Sequence, residues 1–174
     1  MMSKEYQLLI EPHFEQKLLF WEKNRPVRQR RSFRLYLDVI NTGAALFEGG
    51  SIYNICLYKP GENEPQYLDK GGPALSIPKI IQGGKISLEI GTFQINQTGP
   101  ARIEATINAL NNEKLVLCRT DDRGQPVEVR TSRSSWYCGF EVLEDKSLQW
   151  AIFGVAVFTL LLTALGVLLQ YFKK

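Results

Sequence analysis

Up to residue 146 the apolar residues of this chain recur at every second position in short runs. In "SFRLYLDVI", Phe33, Leu35, Leu37 and Val39 alternate with Arg34, Tyr36 and Asp38; in "ARIEATINAL", Ile103, Ala105 and Ile107 alternate with Arg102, Glu104 and Thr106. A two-residue period turns one set to a core and the other to water, so both runs predict half-buried strands. Seven further runs share their Ile, Val, Leu and aromatic content: "EYQLLIE", "KLLFWEK", "SIYNICLY", "KISLEIGTFQI", "KLVLCR", "PVEVRT" and "WYCGFEVLE". Between them stand turn signals such as "NTG" at 41, "EGG" at 48, "DKGGP" at 69, "QGG" at 82 and "DDRGQP" at 121. No helical period of useful length interrupts this pattern. Parallel crossovers need helices, so the expected fold is all-β, an immunoglobulin-like antiparallel β-sandwich over residues 1–146. Residues 114–135 form an excursion, expected as a hairpin, before the last strand.

The pattern changes once, at the end. From Trp150 to Leu169 twenty residues carry no charge; as a helix they would cover about 30 Å, the thickness of a bilayer's hydrocarbon layer. Trp150 on one side and Tyr171, Phe172, Lys173 and Lys174 on the other are the expected interfacial anchors. Residues 147–174 are therefore expected to form one C-terminal transmembrane helix with a short basic tail. No earlier run is apolar enough to start export, and the first residues are charged at Lys4, Glu5, Glu11, Glu15 and Lys17. That layout predicts a tail-anchored, single-pass membrane protein with its N-terminal domain in the cytoplasm. The closing lysines weigh the other way.

Written as a seven-residue repeat, Gln149, Ala156, Thr163 and Gln170 share one column and Ile152, Thr159 and Gly166 the column three residues on. Small and hydrogen-bonding residues on one stripe suit packing against another transmembrane helix. The competing expectation is an indifferent anchor whose threonine hydroxyls bond back to their own helix.

Charge adds one local feature to a near-neutral domain. Lys23, Arg25, Arg28, Arg30, Arg31 and Arg34 fall within "KNRPVRQRRSFR"; without these six, residues 1–148 hold 13 bases against 18 acids. A solvated loop, a contact with anionic lipid and a docking site for an acidic partner all fit such a run. Nucleic acid is the least supported, because no DNA- or RNA-binding motif surrounds it.

The order "LDVINTG…FEGG", "IYNICLYKPG", "LSIPKIIQGGKISLEIGTF" and "GPARIEATINA" resembles the CARDB-type immunoglobulin-like domains of bacteria and archaea over residues 31–110. The resemblance rests on turn chemistry and implies a binding or spacer module without catalytic residues. Two departures accompany it: such domains are commonly exported, whereas no signal is seen here, and the excursion at 114–135 is extra.

Catalytic and metal-binding signatures do not assemble. His13 is the single histidine, placed by the pattern in a connection between the first two strands, and no GxSxG elbow accompanies a serine. Asp121 with Asp122 and Glu144 with Asp145 read as solvated acids. The glycine doublets lack a following GK[ST] and read as turns. Cys56, Cys118 and Cys138 lie far apart in the sequence, without metal spacing, as ordinary structural thiols. The expectation is a protein without cofactor or enzymatic activity: a binding or scaffold subunit of a membrane-associated complex, with membrane lipid and other subunits, itself included, as partners. The alternative is an effector that oligomerises through the tail and perturbs the bilayer.

Overall fold

A computed structural model describes residues 5–17, 21–23, 26–68, 73–110, 113–121, 123–129 and 135–172, with side chains at 17, 21–23, 147–149, 151 and 166–172 outside that description. Two sheets face each other. The first holds β1 (Glu5–Lys17), β2 (Trp21–Lys23), β3 (Ser32–Asn41), β7 (Lys85–Gln94), β9 (Lys114–Thr120) and β10 (Pro126–Glu128), in the order β10-β9-β1-β3-β7 with β2 also on β1. The second holds β4 (Gly50–Tyr58), β5 (Gln66–Tyr67), β6 (Leu75–Ile77), β8 (Gly99–Ala109) and β11 (Ser135–Val142), in the order β11-β8-β4-β5 with β6 also on β4.

The alternating residues do what their period predicts. Phe33, Leu35, Leu37 and Val39 of β3 and Ile103, Ala105 and Ile107 of β8 are buried and meet in one core with Trp136 of β11. β4 keeps its core face by breaking its own period. Ile52 is buried, and so are Ile55 and Leu57, three and five residues on and so one residue out of phase with an uninterrupted alternation. A bulge between Tyr53 and Cys56 supplies the extra residue, with Asn54 in the left-handed region at φ 50°; asparagine tolerates that conformation better than most residues. The "EGG" turn has its own steric reason: a Cβ on Gly50 would stand 2.2 Å from the Asn108 carbonyl oxygen of the neighbouring strand. The "NTG" turn is anchored by the buried Asn41, whose amide donates to the carbonyls of Ala45 (2.8 Å) and Ile80 (2.9 Å) and accepts from the Gly43 N–H (3.1 Å).

Three expectations need correction. His13 is in no connection, because "EYQLLIEPHFEQK" is one continuous strand, β1. Pro12 is tolerated there for a reason of register. The Thr42 N–H donates to the Gln7 carbonyl, so odd-numbered residues of β1 bond β3 and even-numbered ones, Pro12 among them, face the other edge. On that edge β9 pairs only as far as Leu9 and β2 resumes only at Glu15, so the missing proline N–H costs no ladder bond. The second correction is that β9 runs parallel to β1; every other pairing between the described strands is antiparallel. The described part of the excursion holds the expected hairpin, β9 with β10, joined to β1 through β9. Third, Asp38 was placed in water by its period but is 4% exposed, for reasons given below.

The chain forms two compact units, residues 1–143 and 144–174. The second contains α1 (Ser147–Phe172), 26 residues long. Among the described residues no helix is long and apolar enough to cross a membrane; the stretch from Trp150 to Leu169 expected to do so runs past the last described side chain, Leu165.

Candidate functional site

The basic run is divided among elements instead of forming one loop. Lys23 ends β2, its side chain outside the described residues, as is all of Arg25. Arg28, Arg30 and Arg31 share a turn, and Arg34 lies in β3 directly opposite Glu15 on the outer face of the first sheet. A cross-strand position of that kind favours opposite charges.

The turn is held from several directions. Val27 is buried in the core at 1% exposure. The Leu143 N–H donates to the Val27 carbonyl (2.8 Å) and the Gln29 N–H to the Leu143 carbonyl (2.9 Å), a short parallel bridge between Arg28 and Leu143. On its other side the Arg30 N–H donates to the Ile95 carbonyl at 2.7 Å and Gln94 Nε2 donates to the Arg30 carbonyl at 3.0 Å. Arg30 takes a φ of 60°, a conformation that a non-glycine residue adopts when its surroundings fix it. From beneath, the amide of the buried Gln16 meets the turn backbone: Nε2 donates to the Arg28 carbonyl at 3.4 Å, and the opposite amide orientation would set Nε2 on the Pro26 carbonyl (3.3 Å) and Oε1 on the Arg28 N–H (3.2 Å). Arg30 is exposed and Arg28 and Arg31 half-exposed. The turn thus presents three guanidinium groups from a fixed backbone, next to Leu143, the last residue of the sandwich.

In α1, the side chains of Ile152, Ala156, Thr159 and Thr163 are exposed, while those of Gln149, Gly166 and Gln170 lie outside the described residues. Thr159 Oγ1 donates to the Val155 carbonyl and Thr163 Oγ1 to the Thr159 carbonyl, each at 2.9 Å. Both hydroxyls are satisfied by the helix that carries them.

A third location combines residues that sequence spacing never linked. Where β9 leaves β1 a cleft of about 440 Å³ opens, lined by residues of β1, β9 and β11 together with Asp38 of β3 and Lys85 of β7, with Phe14 against Phe140 (centroids 4.7 Å apart) on its apolar side. On its polar side His13 Nδ1 lies 3.0 Å and Lys85 Nζ 2.5 Å from Asp38 Oδ2. The His13 ring stacks on Tyr36 at 4.8 Å. Burial pushes the Asp38 carboxyl up, but the Lys85 and Ser87 hydrogen bonds and the charges of His13 and Lys85 outweigh it and hold the group below the ordinary carboxylate range. Asp38 is buried because these two neighbours cover it. Cys138 opens on the same cleft, and burial pushes its thiol up, Arg119 opposing and Glu11 adding to the rise; a thiol shifted that way is protonated at neutral pH and a poor nucleophile. Cys56 and Cys118 are buried, and none of the three cysteines is joined in a disulfide. Among the described residues no group of three His, Cys, Asp or Glu side chains is placed to hold a metal ion.

No protein-family model matches the chain, and no curated protein does. Among solved structures it is similar to the CARDB domain of a Pyrococcus furiosus protein, solved in complex with di-metal ions, at 14% identity and a TM-score of 0.36 over 83% of this chain and 98% of that one. A hemolymph-type prophenoloxidase from a crustacean gives 9% identity and a TM-score of 0.35 over 82% of this chain and 31% of that one. The soluble domain of PmoD from Methylocystis gives 14% and 0.29 over 76% and 90%. No residue here takes a role from those proteins.

Proposed function

We propose that the protein is a single-pass, tail-anchored membrane protein whose immunoglobulin-like sandwich is a non-catalytic binding or scaffold module facing the cytoplasm. The observation that carries this reading is the uncharged stretch Trp150–Leu169 inside one continuous helix, Ser147–Phe172. Its described side chains include the large, apolar and exposed Trp150, Phe153, Phe158 and Leu161, and a surface of that kind needs a cover that water does not provide. The protonated Cys138 thiol and the Asp38-bound His13 favour a structural use of the cleft over a nucleophile with its base. Thr159 and Thr163, whose hydroxyls are returned to their own helix, favour an anchor over an oligomerising effector.

The test is extraction and sidedness in cells. The full chain should stay with membranes in alkaline carbonate, and protease added to intact cells or sealed organelles should spare residues 1–145. Release by carbonate would remove the anchor. Digestion of the domain without permeabilisation would place it on the other side.

A further inference from the structure

The two ends of the sandwich differ in character. At one, the loop bridge Phe47–Ile80 brings Leu46 and Ile81 side by side, both exposed. At the other, the start of β3 and the end of β11 bring together the Arg28–Arg31 turn and Leu143. We propose that this turn is a binding site for the anionic headgroups of the bilayer in which the chain is anchored; the inference rests on the anchor reading given above.

Three observations support it. The charge is concentrated, with Arg28, Arg30 and Arg31 inside four residues. The backbone beneath it is fixed by Leu143, Ile95, Gln94 and Gln16, so little ordering is left to be done when an anion binds. The turn also stands at the point where the chain leaves the sandwich. Only Glu144, Asp145 and Lys146 separate Leu143 from the first residue of α1, and four Cα steps reach at most about 15 Å. A site tied to Leu143 is therefore kept within reach of a surface that the helix enters.

Guanidinium groups suit this ligand because their planar fork matches phosphate and carboxylate oxygens in pairs. Arg28 and Arg31 also engage groups within the chain, as do Glu144 and Asp145. An anionic leaflet offers a dense array of acceptors to compete with those contacts and gains with each base brought to it. An acidic partner protein would satisfy the same charges but would have no reason to lie beside the exit of the chain, which is why lipid is the occupant.

The experiment uses the full chain in vesicles of phosphatidylcholine alone and of phosphatidylcholine with 30% phosphatidylserine (both compositions set by the test). Trypsin added outside cuts after arginine and lysine, so cleavage after Arg28, Arg30 and Arg31 reports on the turn, and cleavage after the exposed Lys79, beside the Phe47–Ile80 bridge at the other end of the sandwich, is the internal reference. With phosphatidylserine at low salt, cleavage in the turn relative to Lys79 should slow on the order of tenfold or more, as expected for two or more bases each engaged at a surface. At about 0.5 M salt, where screening shortens the reach of exposed charges, it should recover. A ratio equal in the two lipids, in vesicles that carry the chain through carbonate, overturns the headgroup site and leaves the anchor standing. Slowing by soluble polyglutamate but not by phosphatidylserine overturns it in favour of an acidic protein. Failure to stay with either vesicle in carbonate overturns both readings together.

Discussion

The core shows most directly how single residues fix this fold. Leu37, Ile103 and Ile107 have no exposed surface, and each lies where a two-residue period says it should. Truncation to alanine is expected to cost about 2–5 kcal/mol at each position, the lost transfer energy plus that of the cavity left behind. Against a total stability of about 5–15 kcal/mol that is a large loss, readable in chemical denaturation; variants that unfold at the parent midpoint would show that these strand faces are misassigned. Asp38 behaves in the opposite way. Its period places it in water, but its neighbours take it out, and Lys85, Ser87 and His13 keep it ionised. A carboxyl depressed in the folded state stabilises the fold above its unfolded pKa, near 4, and that contribution fades as pH falls through the lower folded value. Asp38→Asn should therefore weaken the protein at pH 7 and lose most of its effect below pH 4. A difference independent of pH would mean that shape, not charge, is what the position supplies.

Among the elements, β1 and α1 each carry a consequence. The edge of β1 is paired by β9 up to Leu9 and by β2 from Glu15, and Pro12 sits in the gap between them with no N–H to offer. Open edges pair with other chains, and proline is one of the devices that prevents it. Pro12→Val should leave the fold in place, because the substituted residue already has strand geometry, but raise self-association, read as a concentration-dependent shift in size-exclusion chromatography in detergent. An unchanged elution profile would mean that other features guard that edge. In α1 the stripe of Ala156, Thr159 and Thr163 has its hydroxyls satisfied internally. Ala156→Leu, on the stripe, and Val155→Leu, off it, should therefore behave alike in co-purification of self or partner subunits. Loss of a complex with Ala156→Leu alone would restore the stripe as a packing surface.

For the whole molecule the division after Leu143 predicts independence: cleavage between residues 143 and 147 should release a sandwich with the melting temperature of the full chain, since its core is complete within the first unit. A lower value would show that the second unit stabilises the first. The same division separates what could be read in advance from what could not. The sandwich, its core faces, the β9–β10 hairpin and the helical end were legible because a strand or helix period repeats locally, and burial of one face follows from that repeat alone. The six bases were legible as a cluster of charge. Their arrangement was not: Arg34 came to lie opposite Glu15 and the Arg28–Arg31 turn beside Leu143 through pairings between residues far apart in the chain, which no local period records. The cleft is of the same kind, joining His13, Asp38, Lys85 and Cys138 from four strands. Sequence by itself determined which faces are apolar and where charge gathers, because both are sums over neighbours along the chain. Tertiary structure decided which strand lies beside which, and so which charges meet, because register is settled by the packing of all strands at once.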